Sequence, residues 1–203
     1  MKQRPPPIPA PTVQVLQPAE VPWTSIELPP DLPMPAFTST EVWNDKRIGA
    51  LAVYCSDGRW GEAFDEFCHR GLAIPRYDRF AVPGGPAWFA HDDESHPELF
   101  KAAHQQIDFL VRTHGLDRVV LFTHWGCGFY RERSAGKAAR DAWPEQLEDV
   151  RTAATTLNLW FPKIQVESYL AMRIGSQMSF HRLDPPPVSR SAAKMTVPAS
   201  SRV

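Results

Sequence analysis

Two short strings of this sequence combine metal-binding side chains with glycines that let the backbone turn. They are CSDGR at 55–59 and HWGCG at 124–128, and they supply two thiols, Cys55 and Cys127, and one imidazole, His124. Thiolates and imidazole suit Zn²⁺, and three protein ligands leave a fourth position open, as catalytic zinc requires. We therefore interpret these three residues as the ligands of a catalytic zinc ion.

A carboxylate and a guanidinium, Asp57 and Arg59, follow the first candidate ligand by two and four residues. Charged groups at the end of a buried strand are costly unless they are paired, and these two form a natural bidentate pair. The alternative is an exposed salt bridge in a loop, which would contribute little. Their closeness to Cys55 favours a role at the metal site.

The chain around these strings alternates between short apolar runs, interpreted as strands, and stretches with helical spacing of apolar residues. The predicted strands cover residues 47–54, 77–82, 118–123, 163–174 and 176–183. The predicted helices cover residues 61–71, 96–114 and 143–159. Pro144 is expected to open the last helix. Strands separated by helices predict an α/β fold with a mainly parallel sheet of four to five strands, flanked by helices on both faces.

In such a sheet, ligands bind beyond the carboxyl ends of the strands. Cys55 ends the first predicted strand, and His124 and Cys127 follow the third. If the strand order is 2-1-3, as in many doubly wound sheets, the first and third strands are neighbours. All three candidate ligands would then converge.

The two strings together resemble the paired signatures of β-class carbonic anhydrases, Cys-x-Asp-[Ser/Ala]-Arg and His-x-x-Cys-Gly. The resemblance extends over residues 47–183. It implies zinc held by Cys55, His124 and Cys127. It also implies that Asp57 and Arg59 form the dyad that orients a zinc-bound hydroxide or, in a closed form, lets the aspartate ligate zinc. The implied activity is the reversible hydration of carbon dioxide to bicarbonate, that of a carbonate dehydratase, which is a lyase.

The resemblance also implies strands in the order 2-1-3-4 with an antiparallel edge strand, and a homodimer or dimer of dimers in which an N-terminal arm embraces the partner. The proline distribution agrees, because eleven of the 21 prolines lie in the first 36 residues, where they exclude a helix or a central strand. We therefore predict an extended Pro-rich arm at 1–46, the zinc domain at 47–183 and a disordered tail at 184–203.

Two other functions remain open on the sequence. The same site could hydrolyse a related heterocumulene such as carbonyl sulfide or carbon disulfide. A non-catalytic zinc ion could instead tie two strand ends together or take part in sensing thiol oxidation. A cysteine-phosphatase loop does not fit, because only three residues separate Cys55 from Arg59.

Three further features have two readings each. The string PGGP at 83–86 would bring bare backbone near the metal to hold an oxyanion, or it is a simple tight turn. Trp88 and Phe89 either wall a pocket for a small substrate or belong to the core. Cys68 is interpreted as an inert packing residue rather than a fourth ligand.

The amino-acid composition bears on the number of domains, the class of partner and the cellular compartment. The 203 residues are 43% hydrophobic, enough for one domain, and the net charge of −1 gives no reason to expect a nucleic-acid partner. Three cysteines cannot all pair in disulfides within one chain, which favours a reducing compartment, and the cytoplasm is expected. No apolar stretch approaches the roughly 18 residues of a membrane span.

Overall fold

The computed structural model describes residues 33–90 and 97–183 and contains a five-stranded sheet. Its strands are β1 (Ala50–Cys55), β2 (Asp78–Val82), β3 (Arg118–His124), β4 (Gln165–Ile174) and β5 (Gln177–Arg182). Their order is β2-β1-β3-β4-β5. Every neighbouring pair is parallel except β4 and β5, which are antiparallel. The predicted α/β fold, with the order 2-1-3-4 and an antiparallel edge strand, is confirmed.

The helices connect and cover these strands. They are α1 (Gly61–Glu66), which continues into a π-helical turn (Phe67–Gly71), a 3₁₀ helix (Gly85–Phe89), α2 (Pro97–His114), α3 (Gly128–Arg133) and α4 (Ala139–Trp160). The helix predicted at 61–71 is therefore present, with a π-helical second half. The sequence did not predict α3, because six residues are too few to show a helical repeat of apolar side chains.

The start of α4 differs from the prediction, because Pro144 lies inside the helix rather than opening it at 143. The first turn begins five residues before Pro144, where the backbone N–H groups of Asp141 and Ala142 both bond the carbonyl oxygen of Ala138. A proline in the second turn forfeits one bond, to the carbonyl of residue 140. Arg140 is exposed, so water can satisfy that carbonyl.

Two apolar layers form on opposite faces of the sheet, because successive side chains of a strand point to opposite sides. Tyr54 and Phe122 pack with Phe64 of α1 on one face. On the other face, the neighbouring residues Val53 and Leu121 pack in the cluster that includes α2 and α4 residues. Burial on both faces explains why the sequence shows these strands as continuous apolar runs.

The parallel register brings the candidate site together at one edge of the sheet. Val53 of β1 pairs with Leu121 of β3, so the next residues of both strands approach the same carboxyl edge. The 3₁₀ helix after β2 also lies against this edge. A Cβ atom on Gly85 would lie 2.8 Å from the carbonyl carbon of Tyr54 and 2.9 Å from the backbone nitrogen of Cys55.

The predicted arm and tail lie largely outside the described residues, since 1–32 and 184–203 are not described. Residues 33–46, the end of the predicted arm, form neither helix nor strand, and their side chains are exposed. Among residues 33–90 and 97–183, no helix combines the length and the apolar character needed to cross a membrane.

Replacing Gly85 with alanine should destabilise the protein by at least about 1–2 kcal/mol. Gly85 has a φ of +53°, which is unfavourable for an L-residue by about that amount, and its new methyl group would press on the β1 backbone. Urea unfolding of the variant measures the loss. Gly61→Ala is the matched control, because nothing lies within 4 Å of its new Cβ atom. Equal stability of the two variants would contradict this account of the turn.

Candidate metal centre

The three predicted ligands converge at the carboxyl edge of the sheet. Cys55 ends β1, His124 ends β3, and Cys127 precedes α3. One ligand atom from each lies within 4.8 Å of the other two, and all three residues are buried. The two sulfur atoms are 3.7 Å apart. Two thiolates that each lie about 2.3 Å from a tetrahedral zinc ion would be separated by about 3.8 Å, so the spacing fits that metal.

The imidazole of His124 is oriented by its surroundings and leaves one nitrogen without a partner. Its ring lies 4.8 Å, centroid to centroid, from the ring of Trp60. Its Nδ1 is 3.3 Å from the carbonyl oxygen of Trp125, which favours a proton on Nδ1 and a lone pair on Nε2. Within the described residues, the buried Nε2 makes no hydrogen bond of acceptable geometry, although the imidazole is near enough to Cys55 to help lower the pKa of that thiol. Such an atom beside two thiols fits a metal ligand, because buried polar atoms are almost always satisfied.

Backbone amides face both sulfur atoms. The N–H groups of Gly84 and Asp57 act to lower the pKa of Cys55, and those of Phe129 and Tyr130 act to lower the pKa of Cys127. These amide dipoles favour thiolate over thiol. PGGP is therefore a tight turn whose Gly84 amide faces a cysteine sulfur.

The two thiols are coupled through a shared proton. The thiol of Cys127 donates to the sulfur of Cys55, which lowers the pKa of Cys55; the same bond raises the pKa of Cys127, because deprotonation of Cys127 would remove the donor. Without a cation, one negative charge is therefore the favoured state of the pair. A divalent metal would compensate the second charge and hold both sulfurs as thiolates.

Asp57 and Arg59 form the predicted bidentate pair. The Nε of Arg59 donates to Oδ1 of Asp57 at 2.9 Å, its Nη2 donates to Oδ2, and its backbone N–H also bonds Oδ1. The aspartate side chain is 18% exposed and the arginine side chain is 82% exposed, so the carboxylate faces inward and the guanidinium covers it from solvent. The hydrogen bond from Arg59 lowers the pKa of Asp57 to about 2, which keeps it ionised at neutral pH.

The other residues singled out in the sequence lie in the core. Cys68 is fully buried beside Phe64, and burial raises the pKa of its thiol to about 11. Phe89 is fully buried and Trp88 packs partly buried in the cluster that also contains α2 and α4 residues, whereas Trp60 belongs to the other cluster. The core interpretation of Trp88 and Phe89 is therefore the one that the packing supports.

Three residues near the site were missed by the sequence reasoning. Trp60 follows CSDGR directly, so its position beside a candidate ligand was an available signal. Gln146 and Asp149 are buried polar residues on α4. The sequence signal for these two residues was that they are polar and lie among apolar residues on one face of a helix. That signal does not show which groups their side chains contact.

No family model matches this sequence, and no curated protein matches it. Solved structures of β-carbonic anhydrases do match the chain. CafD of the fungus Aspergillus fumigatus matches with a TM-score of 0.44 and 11% identity, over 68% of this chain and 90% of CafD. CafA of the same fungus gives 0.37 and 16%, over 70% and 78% of the two chains. A tetrameric enzyme from Sordaria macrospora gives 0.39 and 13%, over 66% and 81%.

The matched structures are β-carbonic anhydrases, the family whose sequence signatures the two motifs resemble. At such low identities and TM-scores, their activity does not transfer to this chain. The function proposed below depends on the chemistry of its own residues.

Removing any one ligand should abolish stoichiometric zinc binding. Cys55→Ala, His124→Ala and Cys127→Ala each leave two ligands, too few for tight binding of Zn²⁺. Elemental analysis should find about one zinc per chain in the wild type and much less in each variant. Cys68→Ala is the matched control, because it removes a buried thiol from the core and should retain zinc. Zinc loss in the control equal to that in Cys55→Ala would contradict the assignment.

Proposed function

We propose that this chain is a zinc enzyme that catalyses the reversible hydration of carbon dioxide to bicarbonate. The observation that carries the proposal is the unbonded, buried Nε2 of His124 in the same cluster as two cysteine sulfurs. Cys55, His124 and Cys127 would hold the metal. Bound Zn²⁺ supplies a Lewis acid that lowers the pKa of water toward about 7, which makes a hydroxide nucleophile available at neutral pH.

Asp57 is suited to orient that nucleophile. It follows Cys55 by two residues, and its backbone amide acts to lower the pKa of that thiol, so its side chain starts beside the cluster. With a pKa of about 2, the carboxylate is ionised at neutral pH and can accept a hydrogen bond from the hydroxide nucleophile without taking up its proton. This contact aims a lone pair of the nucleophile at the carbon of the substrate.

Arg59 holds Asp57 in that role. Two hydrogen bonds from one planar guanidinium fix both carboxylate oxygens, which restrains rotation of the side chain toward the cysteines. The arginine does this from the solvent side, where its charge costs little desolvation. The pair would therefore leave the fourth position at the metal free for the water that becomes the nucleophile.

A small, uncharged substrate suits the enclosure of the site. Cys55, His124 and Cys127 are 8%, 1% and 3% exposed, so the cluster is largely enclosed by protein. Carbon dioxide is linear and electrophilic at carbon, and it needs no charged group to bind it. Carbonyl sulfide and carbon disulfide share these properties and are assayed beside it in the test below.

A structural zinc ion is disfavoured by the number of ligands. Structural zinc sites are almost always closed by four protein ligands. Within the described residues, the group able to hold a metal has three members, Cys55, His124 and Cys127. The missing fourth ligand supports a catalytic site.

The homodimer, or dimer of dimers, stays a separate proposal. It is supported by β5, an edge strand whose hairpin exposes the apolar side chains of Ile174 and Met178 by 61% and 39%. An edge of this kind can pair with a second copy of the chain. Sedimentation of the purified protein measures its oligomeric state directly.

Asp57→Ala and Arg59→Ala should each lower the rate of carbon dioxide hydration by about 10–100-fold while zinc content stays unchanged. The loss follows from a nucleophile that is no longer oriented. Stopped-flow hydration of carbon dioxide and elemental analysis on the same samples separate the two quantities. Arg70→Ala is the control, because it removes an equally exposed arginine from an ion pair with Glu66.

Full activity in Asp57→Ala would contradict the assigned role. A zinc-loaded wild type that hydrolyses carbonyl sulfide or carbon disulfide but does not hydrate carbon dioxide would replace the proposed substrate. A zinc-loaded wild type that turns over none of the three would favour the non-catalytic function.

A further inference from the structure

Helix α4 buries two polar side chains toward the region of the metal centre. Gln146 and Asp149 are 2% and 1% exposed, and their spacing of three residues places them on one face of the helix. Burying an amide and a carboxylate costs free energy unless both are bonded. Their partners are the segments that carry the second and third candidate ligands.

Gln146 holds the end of β3. Its Nε2 donates to the backbone carbonyl oxygen of His124 at 2.9 Å and also to the hydroxyl oxygen of Thr123. The contact is made to the backbone of the ligand, at the point where the strand ends. It fixes the position from which the imidazole extends.

Asp149 holds α3, the helix that follows Cys127. Its Oδ2 accepts hydrogen bonds from the hydroxyl of Tyr130 at 2.9 Å and from Nη1 of Arg133 at 2.8 Å. The guanidinium of Arg133 also contacts Glu145 of α4 through Nε at 2.6 Å. Both turns of α3 are thereby tied to α4.

The contacts between α3 and α4 matter because α3 is too short to be stable alone. A helix of six residues is unstable in isolation, and Gly126 and Gly128 on either side of Cys127 make the backbone there permissive. Cys127 is the N-cap residue of α3, so its sulfur is carried by the residue that immediately precedes the helix. The position of that sulfur therefore depends on where α4 holds α3.

We propose that Gln146 and Asp149 are positioning residues that set the separation of His124 and Cys127 for metal binding. The proposal rests on the metal site of the proposed function. Only Trp125 and Gly126 separate the two ligands along the chain, and α4 bonds the segments on either side of these two residues. Weakening either contact should allow the ligands to move apart and lower metal affinity without removing a ligand.

A second cluster of the same chemistry supplies matched controls. Glu167 is a buried carboxylate that accepts from the hydroxyl of Tyr169 at 2.8 Å and from Nε of Arg118 at 2.8 Å. It joins β3 to β4 near the start of both strands, whereas the candidate ligands lie at the carboxyl edge. Its loss should cost stability but leave the ligands in place.

The experiment compares paired variants of the zinc-loaded, full-length protein. Tyr130→Phe, Asp149→Asn and Gln146→Met test the proposal, and Tyr169→Phe and Glu167→Gln are the controls. Competition with a chromophoric chelator gives the zinc dissociation constant, and urea unfolding of the metal-free protein gives stability. The three test variants should raise the zinc dissociation constant about 10-fold or more. The two controls should leave it within about 2-fold of the wild type at a similar loss of stability.

The conservative design keeps the result interpretable. Tyr130→Phe retains the buried ring and leaves Arg133 bonded to Asp149, so the fold should survive. Cobalt-substituted protein adds a second readout, because a displaced thiolate changes the charge-transfer absorption of the metal, which a loss of stability alone does not.

Unchanged zinc affinity in all three test variants would overturn the proposal and leave the proposed function intact. Equal weakening in Tyr169→Phe and Tyr130→Phe would also overturn it, because affinity would then follow general stability. A wild-type protein that binds no zinc would overturn the proposed function, and this inference with it.

Discussion

Two cysteine sulfurs buried 3.7 Å apart, with an unbonded imidazole nitrogen in the same cluster, are the constraint around which this structure is arranged. Two thiolates this close in a poorly solvated site repel each other strongly. The amides that face them favour negative charge but cannot neutralise it. A divalent cation would resolve the conflict, because it would compensate both charges and satisfy the nitrogen at once.

Several features of the fold serve this close approach. The parallel register of β1 and β3 brings Cys55 and His124 to one edge of the sheet. Gly85 lets the turn after β2 press against the end of β1, where the Gly84 amide acts to lower the pKa of Cys55. On the other side, α4 holds the end of β3 and the start of α3. Each of these contacts acts only between atoms that touch or hydrogen-bond. The positions of the ligand atoms therefore depend on rigid elements packed on both faces of the sheet.

The sequence was sufficient for the sheet and for the three clustered residues, for physical reasons that can be named. Continuous apolar runs such as 118–123 show strands buried on both faces, and ligands that follow such runs must meet at the carboxyl edge of a parallel sheet. The start of α4 was misplaced because Pro144 is a strong local signal, whereas the turn that precedes it is held by Ala138.

The contacts made by α4 could not have been predicted in the same way. Gln146 bonds a residue 22 positions earlier, and Asp149 bonds one 19 positions earlier, so no local pattern links them to the site. Their polarity was visible in the sequence, but their partners depend on how α3 and α4 pack. Such partners become visible only when the tertiary structure is known.

X-ray absorption at the zinc edge of the purified, zinc-loaded protein tests the central claim most directly. The account predicts a four-coordinate metal with two sulfur neighbours at about 2.3 Å and nitrogen or oxygen neighbours at about 2.0–2.2 Å. Cys55 and Cys127 would supply the sulfurs, His124 the nitrogen, and a non-protein oxygen the last position. A coordination shell without sulfur, or with three sulfur atoms, would contradict it.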